Sequence, residues 1–265
     1  MFEKSLKNKN LVIIGGTTGL GLSAAKAFVE NGANVVVVGR KKESADTAKN
    51  LLGDNTVAVA GDAVEAQTAV YAIETCIREF GGFNGLYHVA GGSGRRMGDG
   101  PLHELTTDGW NKTIELNLTS LMHSNQAAVK QFLKQGTEGS LLNMGSVLGF
   151  SPSPQYFATH AYAAAKAAIV GFTKSIAAYY AKNNIRANVL APALVETPMA
   201  KRAAEDDKIL DFIRTKQPLD GGRIGRASDL DGLAVYFMSD LSGFTTGQVV
   251  AIDGGWTVSE GQYER

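Results

Sequence analysis

The stretch Leu11-Val12-Ile13-Ile14-Gly15-Gly16-Thr17-Thr18-Gly19-Leu20-Gly21 passes from an unbroken apolar run into a glycine cluster. A segment carrying Ala24, Ala25, Ala27, Phe28 and Val29 at helical spacing follows it. Glycines between a strand and a helix serve three needs: a tight turn, backbone approach to a pyrophosphate, and close helix–strand packing. The helix N-terminus beyond them offers unpaired N–H groups and a partial positive charge to phosphate. The spacing is Gly-xxx-Gly-x-Gly, and a glycine cluster by itself is also what a sharp turn needs. Its place after the first strand and before a helix favours dinucleotide binding, with Gly15, Thr17, Thr18, Gly19, Leu20 and Gly21 forming the phosphate loop.

Outward from this start, apolar runs at Val35–Val38, Val57–Ala60, Leu86–Ala90, Leu141–Met144, Ala187–Leu190 and Val249–Ile252 predict six further strands. Each run is nearly continuous in apolar residues, as strands covered on both faces require. Helical patterns occupy about 18–31, 42–52, 63–80, 108–134, 160–182 and 227–239. The alternation predicts an α/β, doubly wound parallel sheet (a Rossmann fold) in a single domain spanning 1–265. The segment from about 196 to 220 breaks the alternation just after a strand end. It reads either as a substrate lid or as an ordinary surface helix.

Composition agrees. A length of 265 residues suits one large α/β domain, since such folds run to roughly 250 residues undivided. The formal net charge of zero argues against a nucleic-acid partner, which clustered excess Lys and Arg would mark. The longest strongly apolar run, Val35 to Val38, falls far below the roughly 18 residues of a membrane span. Met1 to Lys7 shows no apolar core or cleavage site of a secretory signal. The expectation is a cytoplasmic protein with no membrane partner. Cys76 is the only cysteine and lies on an apolar helical face, so a buried, inert thiol is expected.

The second strand ends in Gly39-Arg40-Lys41-Lys42, the point that lies beside the adenosine ribose in this fold. An acidic residue there selects NAD through the 2′-hydroxyl, and an Arg accommodates the 2′-phosphate of NADP. Gly39 and Arg40 therefore favour NADP(H) over NAD(H). The alternative is a solvated basic run at a helix start.

At the end of the fifth strand stands Ser146, followed by Tyr162-Ala163-Ala164-Ala165-Lys166. Four residues apart on a helix, Tyr162 and Lys166 share one face. A phenol of pKa ~10 is a poor acid–base catalyst at neutral pH, and a neighbouring ammonium lowers it by stabilising the phenolate. Such a pair would move a proton while a nicotinamide moves a hydride.

From about Leu11 to Val258 the sequence resembles the short-chain dehydrogenase/reductase family. The motifs are Gly15-xxx-Gly19-x-Gly21, Ala90-Gly91, Leu116-Asn117-Leu118, Ser146, Tyr162-xxx-Lys166, Pro192 to Thr197, and Gly247-Gln248 leading to Asp253-Gly254-Gly255. The resemblance implies a catalytic tetrad of Asn117, Ser146, Tyr162 and Lys166 in an enzyme interconverting a carbonyl and a secondary alcohol. Tyr162 would be the general acid–base, Ser146 would hydrogen-bond the substrate oxygen, and Lys166 would hold the nicotinamide ribose. Asn117 would position a water relay. By the same resemblance Asp62 meets the adenine, Val195 and Thr197 meet the nicotinamide carboxamide, and Ala63, Ala90, Gly91 and Pro192 also belong to the cofactor site.

Three departures from the family pattern stand out. Ile14 replaces a usual Thr, His88-Val89 replaces two asparagines, and Ala193 replaces a Gly. The gap from Ser146 to Tyr162 is also long, so the loop with Pro152, Pro154, Tyr156 and Phe157 is expected to bulge into the substrate mouth. Tyr156 has no Lys four residues on and is rejected as the catalytic phenol. The four histidines show no metal-ligand spacing, so no metal site is expected. His88 reads as a hydrogen-bonded structural residue. Arg95-Arg96 either contacts an anionic substrate group or belongs to a solvated loop.

A non-redox epimerase or dehydratase, and a catalytically silent cofactor sensor, are the competing readings. The former usually needs an added domain, and the latter would be free to lose Tyr162 or Lys166. Small side chains at Ala163, Ala164, Ala167, Ala168 and Gly171, together with the resemblance, imply a homotetramer. The substrate is a small carbonyl or alcohol that the sequence does not name.

Overall fold

Successive residues of the first strands point to opposite faces, and both faces are apolar. In β1 (Asn10–Ile14), Leu11 and Ile13 join Val35 and Val37 of β2 (Asn34–Gly39) in one core, while Val12 and Ile14 join Val36 and Val38 in a second. Strands with no polar face must be covered on both sides. The computed structural model, which describes residues 4–261, shows that cover.

The first core is closed by α1 (Gly19–Glu30) through Ala24, Ala25 and Phe28, by α2 (Lys42–Leu52), and by α9 (Asp231–Met238) through Ala234 and Phe237. The second is closed by α3 (Ala66–Phe80), α5 (Ser120–Gln135) and α6 (His160–Tyr180), through Ile73, Cys76, Phe132 and Ile176. Burying one such side chain stabilises by roughly 1.5–3 kcal/mol.

The remaining strands are β3 (Thr56–Ala60), β4 (Gly85–His88), β5 (Gly139–Met144), β6 (Ile185–Pro192) and β7 (Val249–Ile252). Their order is β3-β2-β1-β4-β5-β6-β7, and every pairing is parallel. The chain departs from β1 in opposite directions toward β2 and β4. The crevice at the carboxyl ends of β1 and β4 is where such sheets bind ligands. Among the described residues, no helix is long and apolar enough to cross a membrane.

Differences from the expected elements have local causes. β4 ends at His88 rather than at residue 90, because the N–H groups of Val89 and Ala90 both turn to the Ile14 carbonyl, at 2.8 and 2.9 Å. The third helix begins at Ala66 rather than at residue 63, after the Asp62 carboxylate accepts a hydrogen bond from Val64 N. The expected helix over 108–134 is α4 (Thr107–Ile114) and α5 joined by a π turn at Glu115–Thr119. There the Asn117 side chain donates to Thr113 O and draws on the helix ladder. π turns of this kind recur at functional sites.

The segment over 196–220 forms α7 (Lys201–Ala204) and α8 (Asp207–Lys216), the latter capped by Asp206, which accepts from Lys208 N and Ile209 N. Both helices dock through a separate apolar cluster of Val147, Ala203, Ile209, Ile213 and Trp256, flanked by Tyr156, Phe157 and Phe212. Cys76 is buried, and burial pushes its thiol up to about 12, so it is protonated and inert at neutral pH.

Candidate active site

The glycine loop is shaped by contacts that leave no room for side chains. Gly15 has φ of +88°, and a Cβ there would stand 2.6 Å from Ala90 N. A Cβ on Gly21 would strike the Gly15 carbonyl. Leu20 turns its side chain toward the first core, and Thr17 is buried. At the helix start Thr18 makes no side-chain cap, and the first turn of α1 holds no acidic residue. These N–H groups lack a side-chain acceptor, which fits the pyrophosphate of a dinucleotide. On the other side, Thr197 and Pro198 come within 3.7 Å of where a Gly19 Cβ would be. Thr197 also lines a cavity of about 600 Å³ with Glu196, Pro198 and Lys201.

At the adenosine end, Gly39 is buried and a Cβ there would collide with the Thr17 side chain. Arg40 is exposed and has no hydrogen-bond or ion-pair partner among the described residues. Asp62 and Ala63 lie partly buried just beyond β3. Pro192 ends β6, opposite Ile252 of β7. Val195 is buried and bridges to Gly225.

The four residues expected to form the tetrad come from three elements. Asn117 comes from the π turn, Ser146 from beyond β5, and Tyr162 and Lys166 from α6. Asn117 is fully buried, with both side-chain N–H groups donated, to Gly92 O and Thr113 O at 2.9 Å each. Its Oδ1 accepts from Gly92 N. A Cβ on Gly91 would lie 2.7 Å from Asn117 Oδ1 and 3.6 Å from Lys166 Nζ, so the bare backbone at Gly91 lets both approach. Ser146 Oγ accepts from Leu148 N at 3.2 Å, which leaves its proton free to donate, and it lies within hydrogen-bonding reach of the Tyr162 phenol. Lys166 Nζ donates to Met144 O at 2.8 Å and stands 5.4 Å from the Tyr162 ring centroid.

Burial dominates the charges here. It pushes the Tyr162 phenol up to about 12, against a smaller lowering by the Ser146 hydrogen bond. It pushes the Lys166 ammonium down to about 7. The sequence-level expectation that Lys166 lowers the phenol is therefore not met in the protein alone. Desolvation is the leading cause for both groups.

The departures from the family pattern resolve individually. With Ile14 in place of Thr, the link to Ala90 runs through the Ile14 backbone carbonyl. Ala193 is absent from the positive-φ residues, so its Cβ is unstrained. His88 is buried between Ser124 Oγ, 2.7 Å from Nδ1, and Ala90 O, 3.1 Å from Nε2. A carbonyl only accepts, so Nε2 carries the proton and Nδ1 accepts from Ser124. Burial and nearby Lys166 push this imidazole down to about 3, which keeps it neutral. Tyr156 packs its ring 5.2 Å from that of Phe212, beside the apolar cluster under α7 and α8.

Three residues went unread in the sequence. Asp99, buried in the loop after β4, accepts from Ala161 N at 3.0 Å and Tyr162 N at 2.9 Å, and so caps the helix that carries the phenol. The buried Gln217 pairs with both N and O of Leu194, tying the end of α8 to the loop after β6. Trp256 is the largest buried side chain of the apolar cluster under α7 and α8. Asp99 and Gln217 act across long sequence separations on backbone groups, which leave no spacing signal.

Residues 15–257 match the family model described as enoyl-(acyl carrier protein) reductase. The chain is a short-chain dehydrogenase/reductase. It is 29% identical to 2,5-dichloro-2,5-cyclohexadiene-1,4-diol dehydrogenase of Sphingobium indicum, covering 95% of this chain and 98% of that one. It is 32% identical to the 3-oxoacyl-(acyl-carrier-protein) reductase of Chlamydia trachomatis, covering 94% and 98%. Among solved structures, gox2181 is similar at a TM-score of 0.86 and 25% identity, over 97% of this chain and 100% of that one. Levodione reductase shares the fold at a TM-score of 0.85 and 24% identity, over 95% and 98%. As a member of this family the protein is an oxidoreductase that interconverts carbonyl and alcohol with a nicotinamide cofactor.

Proposed function

We propose that this short-chain dehydrogenase/reductase is NADP(H)-dependent and that Tyr162 is its general acid–base. The observation that carries the catalytic assignment is the placement of Lys166 beside both the bare backbone of Gly91 and the Tyr162 ring, with Ser146 acting on the same phenol. When bound, the dinucleotide supplies or accepts the hydride. The Ser146 proton, left free by the contact with Leu148 N, is donated to the substrate oxygen. With its phenol pushed up by burial, Tyr162 is protonated at neutral pH and can pass a proton to that oxygen in carbonyl reduction. Lys166 keeps two N–H groups beyond its bond to Met144 O, available to the nicotinamide ribose and to returning a proton to Tyr162. Since the side-chain N–H groups of Asn117 are spent, its part in a water relay falls to its oxygens.

Arg40, unpartnered beside a glycine, suits the 2′-phosphate of NADP. Asp62 is assigned to the adenine, Val195 and Thr197 to the carboxamide, and Ala63 and Pro192 to the same cofactor site. The α7–α8 segment is assigned as the substrate lid. The homotetramer proposal is supported by Ala167, Ala168 and Gly171 lying exposed on α6 rather than packed within the monomer. The experiment is Tyr162→Phe, assayed by NADPH oxidation over a carbonyl panel. Turnover should fall by about 100-fold or more with cofactor affinity nearly intact. Wild-type turnover in this variant would refute the mechanism.

A further inference from the structure

Two arginines from separate segments aim at one backbone oxygen. Arg95, in the loop after β4, donates from Nη2 to Tyr156 O at 2.8 Å. Arg202, in α7, donates from Nη2 to the same oxygen at 3.2 Å. Each guanidinium has five N–H donors, and this is the one hydrogen bond that either makes among the described residues. Neither has a carboxylate within ion-pair distance among the described residues. Asp99, whose charge acts on Arg95, has both oxygens bonded to Ala161 N and Tyr162 N. Desolvation and the neighbouring Arg202 charge lower the Arg95 guanidinium from its ordinary value, with Asp99 opposing them. Both side chains are exposed, so water screens their repulsion and their remaining N–H groups stay open to a ligand. The three segments involved adjoin, along the chain, the residues assigned to the site. Arg95 follows Gly91, Tyr156 lies between Ser146 and Tyr162, and Arg202 follows Thr197.

We propose that Arg95 and Arg202 form an oxyanion clamp, and that the substrate is a carbonyl compound bearing a carboxylate or a phosphate ester. The proposal rests on the oxidoreductase reading for its reaction and deepens it by naming the substrate class. Planar guanidinium forks match either oxyanion in bidentate geometry. Tyr156 O holds the pair in place without using up the forks. Because Arg202 belongs to α7, an anion bridging the two arginines also draws the lid onto the loop that leads to Tyr162.

The test has two arms, and the first needs no turnover. Inorganic phosphate is titrated by calorimetry into the enzyme saturated with NADP+, at fixed ionic strength in chloride, so that the glycine loop and Arg40 are covered. The wild type should bind phosphate. Arg95→Gln and Arg202→Gln should each weaken binding by about 10-fold or more, from the loss of charge-assisted hydrogen bonds, and the double variant should abolish it. The second arm measures kcat/KM on matched pairs: 4-oxopentanoate against its methyl ester, and dihydroxyacetone phosphate against dihydroxyacetone. The anionic member should be preferred, by carboxylate or by phosphate according to which pair shows the larger ratio. That ratio should fall by at least 10-fold in the double variant.

Absence of phosphate binding, or equal binding by wild type and double variant, overturns the proposal whatever the turnover results. A double variant that loses activity equally on both members of each pair also overturns it, since that marks a purely structural tie. Phosphate binding lost in the double variant, with no turnover of any carbonyl, supports the clamp and tells against the oxidoreductase reading instead.

Discussion

Substituting Gly39 by Asp, the obvious change to convert NADP(H) preference toward NAD(H), should fail on its own in this protein. The sequence suggests a simple trade: a carboxylate would repel the 2′-phosphate and accept from the ribose hydroxyl. The structure adds a steric term. A Cβ at position 39 collides with Thr17 Oγ1 and lies 2.6 Å from Thr17 Cγ2 and 2.8 Å from Thr17 Cβ, on a buried side chain of the phosphate loop. Overpacking of this kind costs about 1–3 kcal/mol, which lowers Tm by roughly 2–12 °C in a chain of this size. It also displaces the loop that both cofactors need. Gly39→Asp alone should therefore weaken NADH as well as NADPH. Thr17→Gly combined with Gly39→Asp clears all three contacts and should turn preference toward NADH. Arg40→Ala acts through a separate term. Each charge-assisted hydrogen bond is worth about 1.5–3 kcal/mol, so it should cost NADPH about 10-fold or more and leave NADH nearly unaffected. Arg40 is exposed, which places the effect at the low end of that range. The assay is cofactor fluorescence titration at fixed ionic strength, with thermal unfolding of each variant alongside. A Gly39→Asp protein as stable as wild type and already selective for NADH would refute the packing argument. Equal wild-type affinities for the two cofactors would refute the NADP(H) assignment itself.

Two further outcomes follow from the site. Asp99→Ala removes two buried charge-assisted acceptors at the start of α6 and should destabilise by about 3–5 kcal/mol, with a fall in kcat as the turn carrying Tyr162 frays. Asp99→Asn should lose less, and a urea-unfolding difference under about 1 kcal/mol for the Ala variant would contradict the capping role. For pH dependence, reduction requires both Lys166 and Tyr162 protonated. The first proton to leave belongs to Lys166, near 7, and the Tyr162 proton is held to about 12. kcat/KM for reduction should therefore fall about tenfold per unit as pH rises above roughly 7, while alcohol oxidation rises over the same window. Lys166→Arg, which stays charged, should remove that break; a wild-type reduction profile flat from about pH 6 to 9 would count against the relay.

The sequence by itself determined the sheet and the chemistry. Unbroken apolar runs such as Val35–Val38 are legible because every residue of a doubly covered strand must be apolar, whichever face it meets. The order Gly15-xxx-Gly19-x-Gly21, Ser146, Tyr162-xxx-Lys166 is legible because glycine geometry and helical spacing are local properties of the chain. Tertiary structure decided what depends on encounters between distant segments. It set the desolvation that leaves Tyr162 high and Lys166 low, which only burial fixes. It also placed Thr17 across Gly39, Asp99 over the N-terminus of α6, and Arg95 and Arg202 on one carbonyl oxygen. A side chain that binds a backbone group many residues away follows no periodicity, because its partner is selected by the path of the chain in space and not by its order along it.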